Sequence, residues 1–255
     1  MIRKNWVRRE LIIAINLYFK TPFGRIHNRN PQIIKLAKQL GRSPSAVSWK
    51  LVNFASLDPS LKARGIKGAT NVSNLDKEIW SEFYNNIEEL SYESEKLIAQ
   101  IENTSVENLN NISIKELAIE GKTRDQLIKV RVNQSFFRKT IMASYNNTCC
   151  ITGIQQPELL IAGHIKPWGV DEKNRLNPRN GIALNALHDK AFENGLITIS
   201  QSFKVKISSI LKKKIKEQTV RDFFLCYENQ TIILPSKFLP DKELLKYHNE
   251  QRFKE

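Results

Sequence analysis

The sequence predicts an α+β chain: a helical N-terminal block and a helical connector, followed by a C-terminal unit ordered strand, loop, strand, helix. Three observations predict it. Helical apolar periodicity runs through residues 6–54, glutamates crowd residues 81–120, and two short apolar runs at 159–162 and 182–184 flank a polar loop before a last helical pattern. The 255 residues are 41% hydrophobic and 26% charged with only 10 Gly and 9 Pro, which excludes a collagen-like or wholly disordered chain. The first apolar stretch, Leu11–Phe19, is broken by Asn16 and too short to span a bilayer, and no small-residue cleavage site follows it. Neither export nor membrane insertion is expected. Three cysteines, two of them adjacent (Cys149 and Cys150), make no disulfide framework and suit a reducing cytoplasm.

Charge is segregated along the chain. Residues 1–80 carry 15 Lys/Arg against 4 Asp/Glu, residues 81–120 carry 2 Lys against 9 Glu, and the rest is basic again. Basic blocks of this size suit a polyanionic partner, because each neutralised phosphate releases counterions. Lysine-rich solubility is the alternative reading.

The first domain is expected at 1–80. In Trp6–Phe19 the apolar residues Trp6, Leu11, Ile12, Ile15 and Phe19 form a wide helical stripe that ends at Thr21-Pro22-Phe23-Gly24. Asn30-Pro31 then caps and opens a helix with apolar positions 33, 36, 37 and 40, which Gly41 terminates. Another helix starts at Ser43-Pro44 and runs through Ala46, Val47, Trp49, Leu51 and Phe54. The pair has helix-turn-helix spacing: a small Ala37 at the crossing, Gly41 in the turn, Val47 packing back. A helix-turn-helix would present Arg42, Ser43, Ser45, Ser48 and Lys50 to double-stranded DNA, whereas a plain helical hairpin would fold the same way without DNA. Residues 59–76 read as a loop-rich close to this domain. An acidic helical connector is expected at 81–120, introduced by Ile79 and Trp80 and continued by Phe83, Ile87, Leu90, Leu97, Ile98 and Ile101. The third domain is expected at 121–255.

The chemistry is concentrated in Tyr145–Ser200. A turn at Thr152-Gly153 precedes the strand-like run Leu159-Leu160-Ile161-Ala162, which leads to His164. After a charged loop come Asn180-Gly181, the short strand Ile182-Ala183-Leu184, and a helix that starts near Asn185 and holds His188 in its first turns. Such an order can set a strand-end histidine opposite a helix-borne one, with a loop asparagine between them.

His164, Asn180 and His188, framed by a TG turn, LLxAxHIxPW, RxxPxNGxxL and LHDxAFxxGLI, resemble the signature of the HNH endonucleases and their ββα-metal fold. Roughly 50 residues carry the resemblance, with weaker likeness in Arg131–Arg138 and Tyr247-His248. The resemblance implies a metal-dependent DNA endonuclease. Phosphodiester hydrolysis needs a water deprotonated in line with phosphorus, and an imidazole near neutrality suits that task, so His164 is expected as general base. Asn180 would orient it. His188 is expected as a metal ligand, with Asp189 and Glu193 as additional contacts, because an oxygen-rich site completed by substrate phosphates suits Mg²⁺, with Mn²⁺ able to substitute. Many family members carry an acidic residue or a second histidine just before the base, where this chain has Gly163. Arg175 and Arg179, flanking the asparagine loop, are expected as phosphate contacts, and Arg138 either positions DNA or anchors its own helix. Asp171 and Glu172 read as a solvated loop face; His27 and His248 have no comparable frame. Many relatives brace the fold with zinc on two CxxC pairs, which Cys149, Cys150 and Cys226 cannot supply, so no structural zinc is expected and Cys149 reads as apolar packing. The resemblance implies a restriction role, including the modification-dependent kind; because one active site cuts one strand per encounter, a homodimer placing two sites on opposite strands is the expected assembly. A homing or mobile-element nuclease, and a non-catalytic helix-turn-helix regulator, are the competing readings.

Overall fold

The computed structural model describes residues 5–66, 68–69, 72–113 and 123–255, in two compact units, 1–140 and 141–255. The expected 120/121 division falls on residues 114–122, outside the described residues.

The first unit is helical: α1 (Arg8–Lys20), α2 (Pro31–Leu40), α3 (Pro44–Leu57), α4 (Pro59–Ala63), α5 (Asn74–Asn85), α6 (Ile87–Ile101), α7 (Val106–Leu109) and most of α8 (Arg124–Ser144). Helix α1 is its axis and buries Leu11, Ile12, Ile15, Tyr18 and Phe19. Phe19 meets Trp80 and Phe83 of α5 and Phe136 of α8, at ring separations of 6.3, 5.5 and 5.8 Å. The beginning of the acidic stretch thus contributes apolar faces to a shared core rather than forming a free connector, and α8 is drawn into the same core by Phe136. Aromatic rings of this size dominate the burial that offsets chain entropy.

Caps set the α2–α3 pair. Asn30 Oδ1 accepts from Gln32 N (2.9 Å) ahead of Pro31, and Ser43 Oγ accepts from Ala46 N (3.2 Å) ahead of Pro44. Each cap satisfies an otherwise orphan amide. Gly41 ends α2 at φ 61°, ψ 40°, a left-handed conformation that glycine adopts without Cβ strain. Ala37 and Val47 are buried.

The second unit holds strand β1 (Leu160–His164) antiparallel to β2 (Gly181–Asn185), then α9 (Ala186–Glu193). Register pairs His164 with Gly181 and Gly163 with Ile182. Antiparallel strands β3 (Ile197–Ile199) and β4 (Val205–Ile207) follow, with α10 (Ser209–Lys212), α11 (Gln218–Phe223) and α12 (Lys242–Gln251). Every residue of β2 is buried, and Cys150 N donates to Ala183 O (2.8 Å), so the Cys149–Cys150 segment lies along its outer edge. No helix among the described residues is long and apolar enough to cross a membrane.

Helix α12 is held by His248. Its ring stacks on Phe192 (3.7 Å between centroids, 12° between planes), Nδ1 lies 2.7 Å from Thr198 Oγ1, and Nε2 donates to Phe192 O at 3.1 Å. This histidine, without a frame in the sequence, is a buried strut. Burial pushes its pKa down from 6.5 to about 4, against the opposing pull of the Phe192 carbonyl. Between those values the unfolded chain binds the proton and the folded chain does not, so stability is full above pH 6.5 and falls as pH drops towards 4. The loss expected at pH 4 is about 3 kcal/mol. Thermal unfolding from pH 7 to 4 measures it, and His248→Gln should flatten the slope; an unchanged slope in the variant would remove His248 as its origin.

Candidate active site

His164 stands at the end of β1. Its Nε2 donates to Arg175 O at 2.9 Å, which fixes the tautomer with the lone pair on Nδ1, and its ring meets Trp168 edge-on at 5.5 Å. Burial lowers its pKa below the ordinary 6.5, with the Arg175 carbonyl opposing. The imidazole is therefore neutral at pH 7, the state a general base requires.

The loop that supplies this carbonyl is held by Asn180, which is fully buried. Asn180 Oδ1 accepts from Lys166 N (2.8 Å), while Nδ2 donates to Lys166 O (3.0 Å) and Asn174 O (3.1 Å). The amide thus joins the two arms of the loop. Its effect on His164 runs through the backbone rather than through contact with the ring.

Asn185 caps α9, its Oδ1 accepting from His188 N at 2.9 Å. The cap belongs to a buried knot. Asn185 N donates to Cys149 Sγ (3.3 Å) and Asn185 Nδ2 to Thr152 Oγ1 (3.3 Å), while Thr152 N reaches Cys149 Sγ at 3.5 Å. Cys149 is thus a hydrogen-bond acceptor as well as an apolar filler. His188 completes the knot: Nδ1 is 3.0 Å from Asn185 Oδ1, Nε2 donates to Phe223 O at 2.7 Å, and the ring packs on Phe224 and Tyr227.

The expected convergence of His164 and His188 on one cation is not what the structure forms. Both nitrogens of His188 face protein oxygens, and it does not line the cavity beside His164. One helical residue later the direction turns by about 100°, and there Asp189 faces β1. A Cβ built on Gly163 would lie 2.5 Å from Asp189 Oδ1. The cavity, about 290 Å³, is lined by Gly163, His164, Trp168, Asp189, Glu193 and Arg252 among others. Burial, with the charge of Glu193 adding to it and that of Lys190 opposing, raises the Asp189 pKa above the ordinary 3.8. Among the described residues no three His, Cys, Asp or Glu side chains gather into a metal centre.

Four of the cationic candidates have other partners. Arg42 Nη2 is 2.6 Å from Glu10 Oε2, and its guanidinium lies 4.0 Å from the Trp6 ring centre. Lys50 Nζ is 2.7 Å from Asp76 Oδ1 and almost fully buried. These two were expected at a DNA surface; instead they brace the first unit, since a cation enters a core only with a carboxylate. Arg175 donates to Trp168 O (3.0 Å) and pairs with Glu172 (2.7 Å), and Arg179 pairs with Asp241 (2.9 Å), so both shape their loop. Asp171 likewise pairs with Lys166, at 3.1 Å. Ser43 and Ser45 are exposed, Ser48 is half-buried, and Trp49 beside it is 64% exposed. Arg138 is exposed on α8. Sequence reasoning missed Arg252, whose Nη2 donates to Glu193 O at 2.9 Å; no local pattern marks a residue brought to the cavity from the far end of the chain.

Residues 149–200, which contain β1, the asparagine loop, β2 and α9, match the family model described as HNH endonuclease. This segment is an HNH domain. No curated protein matches the chain. An HNH domain supports nuclease activity on DNA, and nucleases of this family generally use a divalent metal ion.

Proposed function

We propose that the chain is a divalent-metal-dependent DNA endonuclease with His164 as general base and Asp189 as the principal protein ligand of the metal, Glu193 lying on the same cavity. One observation carries this reading: Asp189 Oδ1 occupies the space a side chain at position 163 would need. The carboxylate that many HNH domains supply from the strand is here supplied from the helix, beside the base. A half-buried carboxylate facing a glycine across an open cavity suits a divalent ion that Asp189 would hold, with Glu193 on the same cavity and with water and phosphate oxygens as its other ligands, as Mg²⁺ or Mn²⁺ would accept. When bound, the ion neutralises charge on the phosphate and the leaving oxygen. His164 takes the proton of the attacking water on Nδ1 while Arg175 O holds Nε2–H, and Asn180 keeps that carbonyl in place. His188 acts as a strut for α9.

The α2–α3 pair, with Ser43, Ser45, Ser48 and Trp49, is assigned to DNA binding as a helix-turn-helix, supported by its capped turn and the basic N-terminal block. A restriction role is what the family resemblance suggests, and since one active site cuts one strand, a homodimer is the assembly that would cut both. Incubation with Mg²⁺ and paired plasmids, unmodified and carrying modified cytosine or adenine, tests the whole reading. Metal-dependent cutting that a chelator abolishes is expected, and sequenced ends report the site. Intact plasmid of every kind, with Mg²⁺ and with Mn²⁺, would overturn it.

A further inference from the structure

Four of the five residues 212–216 are lysines, and all five are exposed. The backbone here is tightly turned: Lys213 N donates to Ser209 O (3.0 Å), Lys214 N to Leu211 O (2.9 Å), Ile215 N to Lys212 O (3.2 Å) and Glu217 N to Lys214 O (2.9 Å). Arg221 braces it, Nη1 donating to Ile215 O (2.6 Å) and Lys216 O (2.9 Å). Lys212 pairs with Glu228 and Lys214 with Glu217, whereas Lys213 and Lys216 make no ion pair among the described residues. Between those two, Ile215 is 56% exposed.

A hydrogen-bonded turn already fixes the backbone that carries these lysines, so a polyanion that binds them has no backbone left to order there. An exposed aliphatic side chain set between lysines has the chemistry of a wedge: the cations take phosphates while the apolar group enters between base steps of a duplex. The turn is also tied to the catalytic helix. Through α11 it reaches Phe223, whose carbonyl accepts from His188 Nε2 at 2.7 Å, and His188 adjoins Asp189 on α9.

We propose that residues 212–216 are a DNA-gripping element in which Lys213 and Lys216 hold backbone phosphates and Ile215 wedges into the stacked bases, moored to the catalytic helix by His188. The proposal rests on the nuclease reading and names a substrate contact outside the matched segment 149–200. The test uses the full chain carrying His164→Ala, which leaves DNA uncut. Duplex affinity is measured across a salt series, and unwinding by ligating nicked plasmid in the protein's presence.

With Lys213→Ala/Lys216→Ala the slope of log affinity against log salt should fall by about 2, near 0.9 per lost phosphate contact, and Lys213→Arg/Lys216→Arg should keep it. Ile215→Ser should lose unwinding at an unchanged slope. A parent that binds no duplex, or unchanged slope and unwinding in the variants, would overturn the proposal. So would a loss confined to phosphatidylserine vesicles, which would make the element a membrane contact. Hydrolysis of bis(p-nitrophenyl) phosphate by the unsubstituted chain with Mn²⁺ reports the nuclease chemistry separately, so the two readings fail distinguishably.

Discussion

His164→Ala should lower the DNA cleavage rate by roughly 10²–10⁴, the range in which a positioned general base contributes. Melting should fall only modestly, because the half-buried hydrogen bond to Arg175 O is worth about 1 kcal/mol. Two further readouts separate a base from a structural residue. The rate of the unsubstituted protein should rise with pH through an inflection below 6.5, since burial depresses the His164 pKa and only the deprotonated ring accepts the proton; the variant should lack that inflection. Added imidazole should restore part of the variant's activity without altering its melting. Cleavage at the original rate by a folded His164→Ala protein would remove this residue from the chemistry.

The second large effect concerns the carboxylate beside the base. Asp189→Ala should reduce cleavage by roughly 10²–10³, as expected when an electrostatic partner of the developing charge is lost, and should raise the Mg²⁺ concentration needed for half-maximal rate. Gly163→Ala should act in the same direction for a different reason. Its new Cβ would come within 2.5 Å of Asp189 Oδ1, so the carboxylate must swing away, which costs the fold little because the displaced group is a side-chain end. Combining Gly163→Asp with Asp189→Ala moves the carboxylate from helix to strand, and cleavage should recover above the Asp189→Ala level. His188→Asn, by contrast, should act mainly on melting, because the His188 ring joins α9 to Phe223 rather than lining the cavity. Should His188→Asn leave melting intact and shift the metal requirement as Asp189→Ala does, the ligand assignment would have to be exchanged between the two neighbours.

Much of the local structure was legible. Asn30-Pro31, Gly41 and Ser43-Pro44 announce their helix ends because each satisfies a backbone requirement within three or four residues. The run ending at His164 and the cap at Asn185 are legible for the same reason. The roles of the basic residues were not. Arg42, Lys50, Arg175 and Arg179 look like surface cations in the sequence, yet Glu10, Asp76, Glu172 and Asp241 claim them. Apart from Glu172, those partners lie 26 to 62 residues away along the chain. Within 81–120, likewise, the glutamates dominate the sequence while Phe83 and Leu90 are buried in the core.

By itself the sequence determined the helix and strand identities around the site, the position of the strand-end imidazole and the glycine before it, because these depend on periodicity and capping within a few residues. Only the tertiary structure decided that Asp189 rather than His188 turns towards Gly163, and that Asn180 acts through the loop backbone. The physical reason is rotational: adjacent residues on a helix diverge by about 100°, so which of them faces a strand is set by how the helix packs, here through the bonds of His188 N to Asn185 Oδ1 and of His188 Nε2 to Phe223 O.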